Sequence, residues 1–198
     1  MLSARAMPDD IDPIKQLDAM LGLTPDPTLI PRPHPASLED DALLRQCTLG
    51  KGRSGGPGGQ HRNKVETTVF LTHEPTGIEA HAGERRSVTD NKREAIFRLR
   101  LRLAIGVRAV VPAGDARTEL WRSRVSGGRI ACNPRHRDYP AMLAEALDVL
   151  AACRWDEKSA AARLECTPSQ LVGLVREHAP ALARVNEERA KKKLHALR

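Results

Sequence analysis

The spacing of apolar residues along the chain changes from a period of two to a period near 3.6 at about residue 87. Apolar and β-branched side chains alternate over residues 67–72 and again from Ile78, and the turn-forming stretch 73–77 (HEPTG) separates the two runs. Such alternation is typical of half-buried strands, and a short turn between two such runs is typical of a hairpin. The pattern therefore predicts a β-hairpin, preceded by a further strand over residues 43–49.

A helix is predicted directly after this hairpin. Ser87 can cap its N-terminus, and apolar residues recur at helical spacing at Ala95, Ile96, Leu99 and Leu103. Residues 98–103 also alternate with a period of two, as a strand would, but the length of the segment and its charged entry at residues 92–94 (KRE) favour the helix. Strand, loop, hairpin and helix together predict a small α+β unit.

The segments on either side of this unit differ from it in composition. Asp12-Pro13 is typical of the start of a short helix, and five prolines within residues 25–35 predict an extended linker, because each fixes φ and removes a backbone donor. From Pro140 onward the pattern is helical, and residues 159–171 are typical of a helix-turn-helix with Thr167 as a cap. A DNA-reading helix carries polar or basic groups near its start, whereas this segment is net acidic, which favours a packed helical segment.

These patterns divide the chain into five segments. The last is rich in lysine and poor in apolar residues, and we predict that it is disordered until it meets an anion. The segments are a short helix with a Pro-rich linker (1–36), an α+β domain (37–110), a basic connector (111–138), a helical segment (139–183) and a basic tail (184–198).

Charge is distributed unevenly over these segments. The 198 residues carry a formal net charge of +7, and the acidic residues 1–43 contrast with basic blocks at 44–108 and 184–198. Such blocks attract a phosphate backbone, although Lys and Arg also serve simply to solvate a surface. Aromatic residues make up only 3%, which argues against binding a single strand by stacking successive bases on exposed rings. We therefore expect a polyanionic partner bound through charge and backbone contacts.

Composition also argues against several other classes of protein. No stretch approaches the roughly 20 consecutive apolar residues of a membrane-spanning helix, and the acidic start is unlike an Arg-rich targeting segment. The cysteines are far apart, without a CxxC pair or a matching His spacing, so we expect neither a zinc site nor a disulfide framework. These features predict a cytoplasmic protein with reduced thiols, no metal and no membrane partner.

The most distinctive segment is the loop at residues 50–60, with six glycines in eleven positions. Its start fits the dinucleotide pattern GxGxxG, but residues 56–59 (GPGG) stand where the helix of such a site has to begin. The nucleoside triphosphate pattern GxxxxGK[ST] is absent. A flexible linker is the remaining alternative, and the dense polar run at residues 60–64 (QHRNK) argues against it.

At these residues the sequence resembles a known family. Residues 54–64 (SGGPGGQHRNK) are similar to the Gly-Gly-Gln loop of class I peptide chain release factors, and the similarity continues through residues 72–78 (THEPTGI) and 84–87 (ERRS). The resemblance covers about residues 40–105. It implies hydrolysis of the peptidyl-tRNA ester in the large ribosomal subunit by the triplet Gly58, Gly59 and Gln60.

The chemistry of these residues suits that activity. A carboxamide is neither a useful acid nor a useful base, so the Gln60 backbone N–H is the better candidate, as a donor to the oxyanion or the departing ribose oxygen. Gly58 and Gly59 can adopt positive φ and approach RNA closely. The Gln60 side chain would position water, and His61 is a weaker candidate for a general base. The remaining candidates are expected to bind RNA phosphates: Arg53, His61, Arg62, Asn63, Lys64, Arg85, Arg86, Lys92, Arg93, Arg189, Lys191, Lys192 and Lys193.

The sequence departs from full-length members of the family in two respects. Those are longer and carry domains that read the stop codon, and nothing here resembles a codon-reading loop. With its basic tail, the chain is similar in layout to short, codon-independent rescue hydrolases, whose tail enters the empty messenger channel of a stalled ribosome. Arg62 stands where the family usually has a small apolar residue. The resemblance implies a monomer without a cofactor, whose partners are large-subunit RNA and peptidyl-tRNA.

A second hypothesis is a non-catalytic protein that binds RNA or DNA with the same fold and the helix-turn-helix segment. The sequence favours the enzyme, because the whole Gly-Gly-Gln triplet is present and a pure binding protein has no need of it.

Overall fold

A computed structural model describes residues 28–52 and 67–198. The predicted α+β class is confirmed, since strands and helices both build the core. The strands are β1 (Thr28–Ile30), β2 (Cys47–Gly52), β3 (Thr68–His73), β4 (Ile78–Ala82), β5 (Val107–Ala109), β6 (Val125–Ser126) and β7 (Arg129–Ile130). The helices are α1 (Asp40–Leu44), α2 (Val88–Gly106), α3 (Glu119–Arg124), α4 (Tyr139–Ala152), α5 (Glu157–Arg163), α6 (Pro168–Arg176) and α7 (Ala179–Lys191), and residues Pro35–Ser37 form a 3-10 turn.

The central sheet is antiparallel with the strand order β2-β3-β4. The predicted hairpin is confirmed as β3 and β4, with His73 paired to Ile78 beside the turn and Val69 paired to Ala82 at the other end. Gly77 has a φ of +67° in this turn, a conformation that glycine adopts without a steric penalty. Val69 and Leu71 are buried toward the core, whereas Phe70 between them is exposed, as alternation in a half-buried strand requires.

Helix α2 covers the inner face of this sheet. Its N-cap is Ser87, whose side chain accepts a hydrogen bond from the Asp90 backbone N–H, and the predicted apolar stripe from Ala95 to Leu103 is buried. Residues 98–103 are therefore helical, and the alternative strand is excluded. Directly after the helix, Arg108 lies buried in β5 and pairs with Asp148 at 3.2 Å.

The N-terminal side of the domain differs from the prediction in two places. The Pro-rich linker does not extend to residue 36, because β1 pairs in parallel with β5 and Ala36 is fully buried. His34 anchors this region, since its Nδ1 accepts from Ala36 N at 3.0 Å and its Nε2 lies 3.3 Å from the Val107 carbonyl. Residues 43–49 are not one strand either. Leu43 ends up buried in α1, whose first turn carries two aspartates that suit a helix N-terminus, and the strand begins at Cys47.

The helical C-terminal half packs onto α2 and shares its hydrophobic core. Helix α4 is buried along Tyr139–Leu150, and the Tyr139 hydroxyl donates to the Leu174 carbonyl of α6 at 2.9 Å. Thr167 caps α6 as predicted. The Gln170 Oε1 atom near the start of α6 accepts from the Ile130 N–H at 3.0 Å, so this carboxamide is engaged inside the protein. The structure therefore supports a packed helical segment over residues 139–183 rather than a DNA-reading helix-turn-helix.

The segment predicted as a connector, residues 111–138, also joins this core. Trp121 of α3 is fully buried and its indole N–H donates to the Leu164 carbonyl at 2.9 Å. Strands β6 and β7 form a small hairpin after α3. The four cysteines are all free thiols.

The prediction of a disordered tail over residues 184–198 is wrong. Helix α7 continues to Lys191 and buries Val185 against the core. Beyond the helix the chain folds back, because Asn186 donates to the Leu197 carbonyl at 3.1 Å and accepts from the Leu197 N–H at 2.7 Å. The acids Glu157 and Glu188 supply partners for the basic side chains, so an external anion is not needed to order this segment.

Candidate functional site

The glycine loop is rooted on two adjacent strands. Gly52 ends β2 and Thr68 begins β3, and these two residues are paired across the strands. The loop thus leaves and re-enters the sheet at neighbouring positions, as the tip of a long hairpin does. The candidate residues within it lie outside the residues that the structure describes: Arg53, Gly58, Gly59, Gln60, His61, Arg62, Asn63 and Lys64.

Asn91 fastens the C-terminal root of this loop. It is completely buried in the first turn of α2. Its Nδ2 donates to the Thr67 carbonyl at 2.7 Å and to the Arg85 carbonyl at 2.9 Å, while its Oδ1 accepts from the Arg85 N–H at 2.9 Å. One side chain therefore joins the end of the loop, the segment after β4 and the start of the helix.

Asn91 is not among the residues predicted from the sequence. The signal was present, because Asn91 lies four residues before Ala95 and so continues the apolar stripe with a polar side chain. A polar group on the buried face of a helix has to find hydrogen-bond partners, and here these are backbone groups at the base of the loop.

Two of the predicted cations lie beside this root. Arg85 and Arg86 follow β4 and are exposed, and neither side chain has an ion-pair partner in the described part of the chain. The negative charge of the neighbouring Glu84 is compensated by Arg98, which donates a hydrogen bond to the Glu84 carboxylate at 2.8 Å. This hydrogen bond lowers the pKa of the Glu84 carboxyl. The local charge at the root is therefore positive.

Lys92 and Arg93 extend this positive cluster along the first turns of α2. Because they follow Asn91 directly, they lie close to the Arg85 backbone that Asn91 binds. Arg93 is exposed and lies 3.8 Å from Asp90, a separation at which an exposed pair contributes little. We call Arg85, Arg86, Lys92 and Arg93 the root cluster.

The candidates near the C-terminus divide into two groups. Lys192 and Lys193 are exposed, and Lys191 is exposed while pairing with Glu188 at 2.8 Å. Arg189, by contrast, is buried. Its guanidinium donates to the Trp155 carbonyl, to Glu157 at 2.7 Å and to the His195 carbonyl at 2.7 Å. Arg189 therefore holds the folded tail in place. It is buried, and not exposed as an RNA-binding side chain was expected to be.

No grouping of His, Cys, Asp and Glu suited to a metal ion occurs within residues 28–52 and 67–198. Over the same residues, no helix is long and apolar enough to cross a membrane.

Comparison with known proteins identifies the segment that carries the loop. A family model described as the RF-1 domain matches residues 45–137, just under half of the chain. Residues 45–137 thus carry a domain similar to the RF-1 domain of peptide chain release factors. The release-factor match begins just before β2, includes the Gly-Gly-Gln triplet, the sheet and α2, and ends after the β6–β7 hairpin.

Several release factors are similar to this segment. Peptide chain release factor 1 of Chlorobaculum tepidum is 39% identical over 108 residues, which is 54% of this chain and 30% of the relative. The chloroplastic peptide chain release factor PrfB1 of Arabidopsis thaliana is 49% identical over 53 residues, 27% of this chain and 12% of the relative. Peptide chain release factor 2 of Aromatoleum aromaticum is 47% identical over 67 residues, 34% of this chain and 18% of the relative. The chain thus spans less than a third of the length of each of these relatives.

Proposed function

We propose that this chain acts as a release factor, which hydrolyses the ester bond of peptidyl-tRNA on the ribosome and so releases the nascent peptide. The observation that carries the proposal is the match of residues 45–137 to the RF-1 domain, because this segment contains Gly58, Gly59 and Gln60 complete. The root of the loop on a paired β2–β3 end, fastened by Asn91, suits a loop that has to be presented at a fixed place.

In the proposed mechanism, a water oxygen attacks the ester carbonyl carbon and the bond to the ribose oxygen then breaks. The Gln60 backbone N–H donates to the oxygen on which negative charge develops, and one donor of this kind contributes roughly a 10²–10³-fold increase in rate. The Gln60 carboxamide orients the water without exchanging a proton, since it neither ionises nor accepts a proton usefully near neutral pH. The proton lost by water reaches the departing ribose oxygen through solvent or RNA groups.

RNA binding in this proposal depends on charge. The root cluster lies beside the loop root, and its exposed Arg85, Arg86 and Arg93 and half-buried Lys92 suit contacts with the phosphates of large-subunit RNA. Arg53, His61, Arg62, Asn63 and Lys64 are proposed to extend this contact along the loop itself. Lys191, Lys192 and Lys193 form a second exposed cationic site, which we propose binds the small subunit at the messenger channel.

We also propose that release is independent of the codon and rescues stalled ribosomes in the cytoplasm. Support comes from the described residues outside the family match. Residues 28–44 and 138–198 are used for packing against α2 and α4, and their exposed lysines at the end of α7 suit an RNA channel rather than the reading of bases. We propose that the protein acts as a monomer without a cofactor.

A release assay on ribosomes with a truncated messenger tests the activity. We expect Gln60→Pro, which removes the N–H, and Gly59→Ala, which disfavours positive φ, to abolish release, whereas Gln60→Ala retains part of it because the donor remains. Gly114→Ala is the matched control, since Gly114 lies outside the loop and a Cβ there meets no atom within 4 Å.

Two outcomes contradict the proposal. If Gln60→Ala is inactive while Gln60→Pro is active, the backbone-donor mechanism is wrong. If the wild-type chain binds ribosomes but releases no peptide, the non-catalytic RNA-binding hypothesis replaces it. Comparison of a truncated messenger with one that presents a stop codon in the decoding site then tests codon independence.

A further inference from the structure

The outer face of the central sheet carries an exposed aromatic side chain close to the loop. All five aromatic residues lie in the described part of the chain, and Phe70 is the one whose ring is exposed, at 43%. Trp121, Tyr139 and Trp155 are buried. A single exposed apolar residue is common on protein surfaces, so the case for a binding role of Phe70 depends on the residues around it.

The residues around Phe70 hold its ring in one place. On β4 the cross-strand neighbour is His81, and the two rings are stacked with centroids 5.5 Å apart and planes at 29°. On β2 the neighbour is Gly50, and a Cβ added at Gly52 would come within 2.8 Å of the Phe70 ring. The Cε2 edge of the ring therefore lies next to the Gly52 backbone, and the imidazole of His81 stacks on one of its faces.

This arrangement lies next to the loop root. Phe70 follows Thr68, the first residue of β3, by two positions, which is about 7 Å along a strand. The exposed Arg85 and Arg86 follow the end of β4 nearest the loop, whereas Lys51 pairs with Val69 and belongs to the opposite face of the sheet. The acidic Glu79 lies toward the far end of the same face, where it accepts a hydrogen bond from Thr72 at 3.2 Å. Positive charge thus borders the ring on the side where the loop emerges.

We propose that Phe70, supported by His81, is a stacking surface for one unpaired base of large-subunit ribosomal RNA, a site that rests on the proposed ribosomal function. A flat ring bordered by cations fits RNA, because a base stacks on an aromatic face while its phosphates meet Lys and Arg. The low aromatic content excludes a row of such rings and leaves room for a single one. His81 extends the stack, and Gly52 leaves the space in which the Phe70 ring lies.

The test measures the affinity of the full-length chain for large ribosomal subunits with Phe70→Leu, which keeps apolar bulk but removes the π face. Stacking on a base is worth about 1–3 kcal/mol, so we expect the Kd to rise about 5- to 150-fold. Phe70→Tyr keeps the ring and should bind like the wild type. Leu49→Ala is the matched control, since Leu49 is equally exposed at 42% but pairs with Leu71 and so belongs to the opposite face of the sheet.

The dependence of binding on salt separates stacking from phosphate contacts. Phe70→Leu should leave the slope of log K against log salt unchanged, whereas Arg86→Gln should reduce the slope by about one charge. Chemical modification of RNA bases gives a direct readout. One base protected by the wild-type protein should become reactive again in the Phe70→Leu complex at saturating protein, while the other protections persist.

Two results would overturn this inference. One is an unchanged affinity for Phe70→Leu in a chain whose wild type releases peptide. The other is weaker binding with every base protection retained, which would show that Phe70 meets a protein surface instead. Failure of the proposed function itself looks different, because the wild-type chain would then show no release at all.

Discussion

Asn91 allows the coupling between helix α2 and the glycine loop to be tested without changing the loop itself. In Asn91→Ala the Thr67 carbonyl and both backbone groups of Arg85 lose their partner. A buried polar group left unsatisfied costs about 1–3 kcal/mol, and water entering the vacated space compensates part of this. We therefore expect the free energy of unfolding to fall by about 2–4 kcal/mol, measured by urea denaturation.

The location of the destabilised region shows whether Asn91 positions the loop or only stabilises the fold as a whole. Asn91 binds at the loop root, so amide hydrogen exchange at Thr68 and Val69 should accelerate more in Asn91→Ala than exchange within α6. Peptide release should fall by a larger factor than ribosome binding, because a loosened loop root lowers the fraction of correctly placed donors. The loss of release should still exceed the loss of binding when the wild type and Asn91→Ala are each assayed at a temperature at which they are fully folded.

Asn133→Ala provides the matched control for Asn91→Ala. Asn133 also accepts a backbone N–H with its side chain, from Arg135 at 2.8 Å, but it does so in an exposed turn. Its replacement should change stability by less than about 0.5 kcal/mol. The reasoning is refuted if Asn91→Ala is as stable as this control, or if release and binding fall by the same factor.

The remaining predictions concern titration and the folded tail. Burial lowers the pKa of His34 to about 4, below its value near 6.5 in the unfolded chain. Because the unfolded chain binds the proton more readily, the free energy of unfolding should fall by at most about 3 kcal/mol as the pH drops from about 6.5 to 4. This pH dependence should be weaker in His34→Gln. Arg189→Ala should lower the free energy of unfolding by about 2–4 kcal/mol, because it leaves two carbonyls and the half-buried Glu157 without this partner. Lys192→Ala should leave stability unchanged and weaken ribosome binding at low salt. Urea titrations across pH and a salt series of binding measurements check these outcomes.

Local patterns predicted the centre of the fold well. The hairpin of β3 and β4 and the helix α2 follow from alternation, turn residues and the Ser87 cap, all of which act over a few neighbouring residues. Strand β1 was missed because it has three residues, is flanked by prolines, and exists through parallel pairing with β5 far along the chain. Pairing at such a distance leaves no periodic signal in a short segment.

The charged C-terminus shows a second limit of local reasoning. A basic run is expected to be solvated when it is considered alone. Here Arg189 finds Glu157 and carbonyls from distant residues, so the helix α7 forms and the tail folds back. At the candidate site, Arg85, Arg86 and Arg93 are exposed near the loop root and Lys92 is half-buried, so their role in binding RNA stays a prediction. Asn91 became evident only once the structure placed its partners.

The most direct test of the central claim is a single-turnover measurement of peptide release on ribosomes stalled at the end of a truncated messenger. The wild-type chain should release the nascent peptide without a stop codon, and Gln60→Pro should bind these ribosomes with similar affinity but release no peptide above background. Equal release by wild type and Gln60→Pro, or binding by the wild type without any release, would contradict the account.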